Sequence, residues 1–265
     1  MKMLNCYHTH TARCKHAEGA DEEYVLKAIA EGVRVLGFSD HAPYIDPDGY
    51  VSYYKMLPSE AKEYFASLRA LSEKYKDKIK ILVGYEAEYY PELWKSTLDF
   101  WREGDRPDYL ILGQHYITEE YSKDPVHSMT GTGDPEMMKR YVDLIIEGVN
   151  TGRFTYVAHP DVISFEGDAK LYEREMRRML AALKEKEMPI EINLLGLSSG
   201  RNYPSEKFFS IAREYDLPVI LGFDAHSPDR VADRDEIARA KEFAARVGIR
   251  LVDDVAIVDP FRCHI

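Results

Sequence analysis

Residues 218–226 read PVILGFDAH, and residues 35–41 read VLGFSDH. In each, polar residues arrive only in the last three positions of an apolar run. A run without alternation suits a parallel strand buried on both faces. Similar segments span 3–10, 79–88, 109–116, 155–159 and 189–194. Amphipathic helical patterns separate and follow them at 21–33, 59–75, 92–103, 135–151, 171–186, 205–215 and 234–247. Seven strand–helix units in regular order demand a mostly parallel sheet. An open doubly wound sheet would satisfy the same alternation, but it uses only a few strand ends near one switch point. Here six of the seven strand segments finish on His, Asp or Glu, at or beside the last position. A barrel brings all its strand ends to one mouth. The α/β class is therefore expected as a distorted, TIM-like barrel of seven strands, forming a single domain over residues 1–265. The loops at 43–58 and 118–134, rich in Gly, Pro, Tyr and Asp, are expected to lie over that mouth.

The histidines give the chemistry. His8 and His10 sit at i and i+2, and so share one strand face, ~6.6 Å apart along it. Two imidazoles can converge from there on one cation. Cys6 has the same parity one step deeper and is expected to pack in the barrel. A compact Cys/His zinc knot from Cys6, His8, Cys14 and His16 would require this stretch to be a loop. His16 follows just beyond the first strand, His41 ends the second, His115 the fourth and His159 the fifth. Asp224 and His226 repeat the i, i+2 spacing at the seventh. Glu86 and Glu88 share a face at the end of the third, with Glu88 expected nearer the rim. Of nine histidines, only His127 and His264 fall elsewhere, which a scatter of unrelated core and surface histidines would not produce. Imidazoles and carboxylates together select zinc, iron or manganese over calcium. A multi-metal site at the C-terminal ends of the strands is expected.

Lys and Arg total 35 against 46 Asp and Glu, a formal net charge of -11 with no basic patch. Such a surface repels nucleic-acid phosphates. Three divalent ions would offset about half of that charge. The three cysteines, Cys6, Cys14 and Cys263, make no disulfide framework. Apolar runs stay well short of the ~18 residues a membrane span needs. Polar Asn5 and His8 come too early for a signal peptide, so the cytoplasm is the expected compartment.

The ordered set HTHTARCKH, SDH, GYE, GQH, AHP and GFDAH, running from His8 to His226, resembles the polymerase and histidinol phosphatase (PHP) family. HTHT with the following Cys and His, and AHPD in the middle, look most like its histidinol-phosphate phosphatase branch. The resemblance implies a distorted (β/α)7 barrel with three metal ions. It implies His8, His10, Glu86 and Asp224 around the first ion. Glu86, His115 and His159 would surround the second, and His16, His41 and His226 the third. It implies hydrolysis of L-histidinol phosphate, a step of histidine biosynthesis, by attack of a hydroxide bridging the first two ions. The branch often carries a motif like NTSGLRK after the sixth strand. Here the stretch from Asn193 reads NLLGLSSGR, so the arginine, Arg201, arrives later. An Arg fork suits phosphate, and Arg201 and Lys15 are the expected cationic contacts. Asp161 is a candidate acid, or else a turn residue. Asp40 is expected to direct His41. Glu88, Asp161, Glu119, Glu120 and Asp124 are expected to attract the ammonium of an amino alcohol substrate. The alternatives are a PHP-type phosphoesterase for another small phosphate ester or nucleotide, and a metal-binding protein without catalysis. Amidohydrolase-like C–N hydrolysis is disfavoured because no strand end offers a bridging Lys.

Overall fold

The computed structural model describes residues 4–262, so Met3, Cys263 and His264 lie outside the described residues. The elements follow the alternation in the sequence. They are β1 (Leu4–Cys6), α1 (Asp21–Glu31), β2 (Val33–His41), α2 (Ala61–Lys74), β3 (Lys80–Ala87), α3 (Pro91–Glu103) and β4 (Leu110–Leu112). They continue as α4 (Pro135–Asn150), β5 (Tyr156–Val157), α5 (Ala169–Glu185), β6 (Ile190–Asn193), α6 (Leu194–Ser198), α7 (Glu206–Ala212), β7 (Val219–Gly222) and α8 (Arg234–Val247). Every neighbouring pair of strands is parallel, in the order β1 to β7. Beyond β1 and β7 the two ends meet: Asp224 N donates to His8 O at 2.9 Å and His10 N to Ala225 O at 3.0 Å. These two bonds close the sheet into a barrel at its mouth.

The helix boundaries have local causes. Asp134, Asp168 and Asp233 each accept a backbone N–H from the first turn of α4, α5 and α8, satisfying donors a helix start leaves unpaired. Gly32 and Gly248 end α1 and α8 in the left-handed conformation that glycine adopts without penalty. Among the described residues no helix is long and apolar enough to cross a membrane.

The barrel has two cores. The larger lies between sheet and helices, with Leu36, Phe38, Val83, Ile145, Met176 and Ile192 fully or almost fully buried. The smaller fills the interior with Tyr7, Tyr109, Ile111, Tyr156 and Ile220. The Tyr109 hydroxyl crosses that interior to the carbonyls of Tyr7 (2.7 Å) and Phe38 (3.1 Å). Cys6 belongs to the outer core. The strand pairing stops at Cys6, so the alternation is broken, and His8 turns inward above Tyr7. The expectation that Cys6 shares the face of His8 is therefore corrected. β4 and β5 are also shorter than the apolar runs imply, because their polar ends leave the ladder to reach the mouth. The expected last residue of the sixth strand, Leu194, instead starts α6.

Candidate metal centre

Glu86, in β3, stands at the centre of the mouth. Its Oε1 lies 2.8 Å from His159 Nε2 and 3.4 Å from His115 Nε2. Its Oε2 lies 3.1 Å from His41 Nδ1, 3.5 Å from His8 Nε2 and 3.6 Å from His10 Nε2. Asp224 Oδ1 is 3.0 Å from His10 Nε2 and 3.5 Å from His8 Nε2. Farther out, His16 Nε2 and His226 Nε2 face each other at 2.9 Å. Ligand atoms within 4.8 Å of one another form the sets His8–His10–Asp224, His8–Glu86–His159, His10–His41–Glu86 and His16–His41–His226. Eight of the nine sequence-derived candidates fall in these sets, and His115 joins them through Glu86 Oε1 at 3.4 Å. One further set, His10–Cys14–His226, brings in Cys14.

The backbone is shaped around these side chains. Gly113 is required beside Glu86, since a Cβ there would stand 2.0 Å from Oε1. His159 (φ 27°) and Asp224 (φ 49°) occupy left-handed conformations that disfavour side chains, strain of the kind that collects at functional sites. A 3-10 helix at Ala12–Cys14 turns the chain so that His16 folds back, its Nδ1 on the Cys14 carbonyl at 2.7 Å.

Four imidazoles are anchored through Nδ1 and present Nε2. Glu191 Oε2 accepts from His8 Nδ1 at 2.9 Å, and Asp40 Oδ1 lies 3.4 Å from His10 Nδ1. His16 and His226 use the carbonyls of Cys14 and Asp224. An acceptor behind the ring fixes the tautomer that leaves the other nitrogen free for a cation. His8 Nε2, His10 Nε2 and Glu86 Oε2 are buried without a hydrogen bond, a costly arrangement unless a positive ion completes it. The donor set fits divalent transition-metal ions.

Protonation states agree. Burial would raise Glu86 and Asp224, but His115, His8 and His41 hold the first, and His8, His10 and His226 the second, well below the carboxylate range. Burial, then the charge on His10, pulls His41 down to about 4. Burial also lowers His16, His115 and His226. For His8, burial opposes a proton, but Glu191, Asp224 and Glu86 outweigh it and raise the pKa. Protons and cations therefore compete at His8. Cys6 is pushed up to about 12, chiefly by burial, and stays a packed thiol.

The mouth opens into a cavity of about 510 Å³, lined in part by Lys15, Tyr53, Tyr54, His127, Arg201 and Tyr203. A groove of about 660 Å³ beside α1 and α2 contains none of the nine candidates. Arg201 points a guanidinium nitrogen at Tyr203 Oη, 2.8 Å away. Three expectations are corrected. Asp40 is anchored to the His41 backbone N–H, not its ring, and its carboxylate faces His10. Glu88 is not at the rim: it is 2% exposed and held by Lys55 and Tyr54. Glu120 is likewise taken by Lys55, while Glu119 and Asp124 lie outside the cavity lining. Asp161 is buried, its Oδ2 on Ser205 N, and is not among the residues lining the cavity. Burial raises it to about 7. None of the five carboxylates expected to meet an ammonium lines the cavity, and Glu88, Glu120 and Asp161 are held by other groups.

Sequence reasoning missed Glu191, Lys55 and the tyrosines of the mouth. Glu191 and Asn193 repeat the i, i+2 spacing of His8 and His10, so Glu191 carried a readable signal. Lys55 lies inside a loop and carried none.

The model of the PHP domain matches residues 7–194. The chain belongs to the PHP domain family. Asp224 and His226 lie beyond the matched stretch and join the PHP site through the turn after β7. In sequence this PHP chain is 25% identical over 255 residues to a probable histidinol-phosphatase of Deinococcus radiodurans, covering 90% of this chain and 93% of that one. It is also 25% identical to the histidinol-phosphatase of Lactococcus lactis, covering 94% and 92%. In fold it is similar to the Lactococcus lactis histidinol phosphate phosphatase solved with zinc, L-histidinol and phosphate. There the TM-score is 0.70 and the identity 20%, with 97% of each chain covered. A putative histidinol phosphatase of Listeria monocytogenes gives a TM-score of 0.70 at 22% identity, covering 88% of this chain and 99% of that one.

Proposed function

We propose that this PHP chain is a metal-dependent phosphatase hydrolysing a small phosphate monoester, L-histidinol phosphate, to L-histidinol and phosphate. The observation that carries the reading is the convergence of nine ligand-type side chains, eight in mutually close sets and His115 on Glu86, four of them with Nδ1 anchored and Nε2 presented, beneath a cavity bearing Lys15 and Arg201. The names of the relatives and the contents of the Lactococcus lactis structure support the substrate. The chain acts as one barrel domain, in the cytoplasm, where the buried thiols Cys6 and Cys14 stay unpaired.

In this reading His8, His10, Glu86 and Asp224 would hold one divalent ion, Glu86, His115 and His159 a second, and His16, His41 and His226 a third, as zinc, iron or manganese. Such ions supply positive charge for phosphate oxygens and acidify water for attack on phosphorus. The protein's own residues do the rest. Lys15 and Arg201 draw the phosphate into the cavity and balance its charge. Glu191 and Asp40 keep His8 and His10 in one tautomer. Tyr53, Tyr54 and Tyr203 wall the cavity and limit water, which strengthens every charge interaction inside. A cavity of about 510 Å³ admits a small ester, and a net charge of -11 disfavours nucleic acid.

The test compares kcat/KM for L-histidinol phosphate, sugar phosphates, a nucleotide and an aryl phosphate. A preference of about tenfold or more for histidinol phosphate is expected, as specific pocket contacts give. Efficiency no better than for the aryl phosphate would remove the specific substrate and leave metal-dependent phosphoester hydrolysis.

A further inference from the structure

Behind the mouth a lysine is fully enclosed. Lys55, in the loop between β2 and α2, has a side chain only 5% exposed. Its ammonium bonds Glu88 Oε2, and Glu120 Oε2 at 2.9 Å. The rings of Tyr44, Tyr54 and Tyr90 surround it at 4.7, 5.0 and 5.3 Å. Three segments meet here: the loop carrying Lys55, the end of β3 with Glu88, and the loop between β4 and α4 with Glu120. Desolvating three charges is expensive, and an apolar plug of similar volume would stabilise the fold as well or better. What the charges add is a fixed geometry.

That geometry reaches the cavity by a hydrogen bond to Tyr54. Glu88 gives Oε2 to Lys55, and its Oε1 accepts from the Tyr54 hydroxyl at 2.6 Å. The Tyr54 ring then stands edge-on to His41 at 5.0 Å and to His115 at 6.1 Å, and lines the cavity. The same Glu88 Oε1 is 3.7 Å from His115 Nδ1. Without the pull of Lys55, Glu88 is free to turn toward His115 and release Tyr54.

We propose that Lys55 is a positioning residue, which through Glu88 and Glu120 holds Tyr54 as the fixed wall against which the organic half of the substrate is placed. This rests on the phosphatase reading of the mouth. The test is a double-mutant cycle of Lys55→Met and Tyr54→Phe, with KM and kcat measured for L-histidinol phosphate and for p-nitrophenyl phosphate. Each single variant should raise KM by about tenfold with kcat changed by no more than about threefold. The double variant should be no worse than either, because both act through one hydrogen bond. A Lys55→Met protein that melts earlier but keeps wild-type KM overturns the proposal, as do effects that multiply in the double variant. Should Lys55→Met fail to fold, Glu120→Gln, which removes the outer carboxylate only, takes its place in the cycle. A crystal structure of the variant gives a readout independent of turnover. Tyr54 displaced from His41 is expected, and Tyr54 in place overturns the proposal. If the wild-type protein hydrolyses only the aryl ester, the substrate reading falls and the cycle still runs. If it hydrolyses neither, the crystal structure decides.

Discussion

Replacing Glu191 by Gln should loosen the metal centre without touching any of its nine candidate ligands. Glu191 is fully buried in β6. It accepts from His8 Nδ1 at 2.9 Å and from Asn193 Nδ2 at 2.7 Å. Its Oε2 lies over Gly222, where a Cβ would stand 2.0 Å away, so the space is shaped to this side chain and Gln fits it. The isostere removes the charge and leaves one oxygen for two donors. A hydrogen bond to a charged group contributes about 1.5–3 kcal/mol and a neutral one about 0.5–1.5. The difference, about 1–1.5 kcal/mol, corresponds to roughly tenfold in affinity, the lower end of the 10–100-fold usual for a partner behind a metal ligand. Zinc titration of the apoprotein against a chromophoric chelator reads this directly. An affinity within about twofold of wild type would refute the claim that Glu191 prepares His8 for a cation.

Glu86→Gln should release metal and abolish hydrolysis. Glu88→Gln should keep metal but lower stability by about 3 kcal/mol, because a buried pair with Lys55 is broken. Elemental analysis with thermal melts separates the two, and the reverse pattern would exchange the roles of the two carboxylates. His127 gives a pH effect. Burial, then Arg201, lowers it from 6.5 to about 4 in the folded protein, so between those values the unfolded chain binds a proton that the folded chain refuses. Stability should fall as pH drops through that window, and His127→Gln should remove this loss. Urea unfolding of both proteins at pH 7 and pH 4.5 checks it, and parallel losses would contradict it.

The barrel was legible because its strands are uninterrupted apolar runs with polar residues gathered at their ends. PVILGFDAH alone contains a buried strand, the bend after it and two of the nine converging side chains. The ligand-type residues were legible because they gather at or just beyond the strand ends, which a barrel brings to one mouth. Direction failed where the strand itself stopped. β1 ends at Cys6, so the parity that placed Cys6 with His8 no longer held. The loops were opaque for a different reason. Lys55, Glu88 and Glu120 lie 32 to 65 residues apart, and no local pattern says that one ammonium joins them. Glu88 therefore read as a rim residue, when Lys55 and Tyr54 draw it inside.

The most direct test of the account is reconstitution of the stripped protein. Chelated protein is supplied with L-histidinol phosphate, and phosphate release is followed as zinc, manganese or iron is added. The account predicts no release without metal, and recovery that saturates at two to three ions per chain. Release undiminished by chelation, or saturation below one ion per chain, would contradict it.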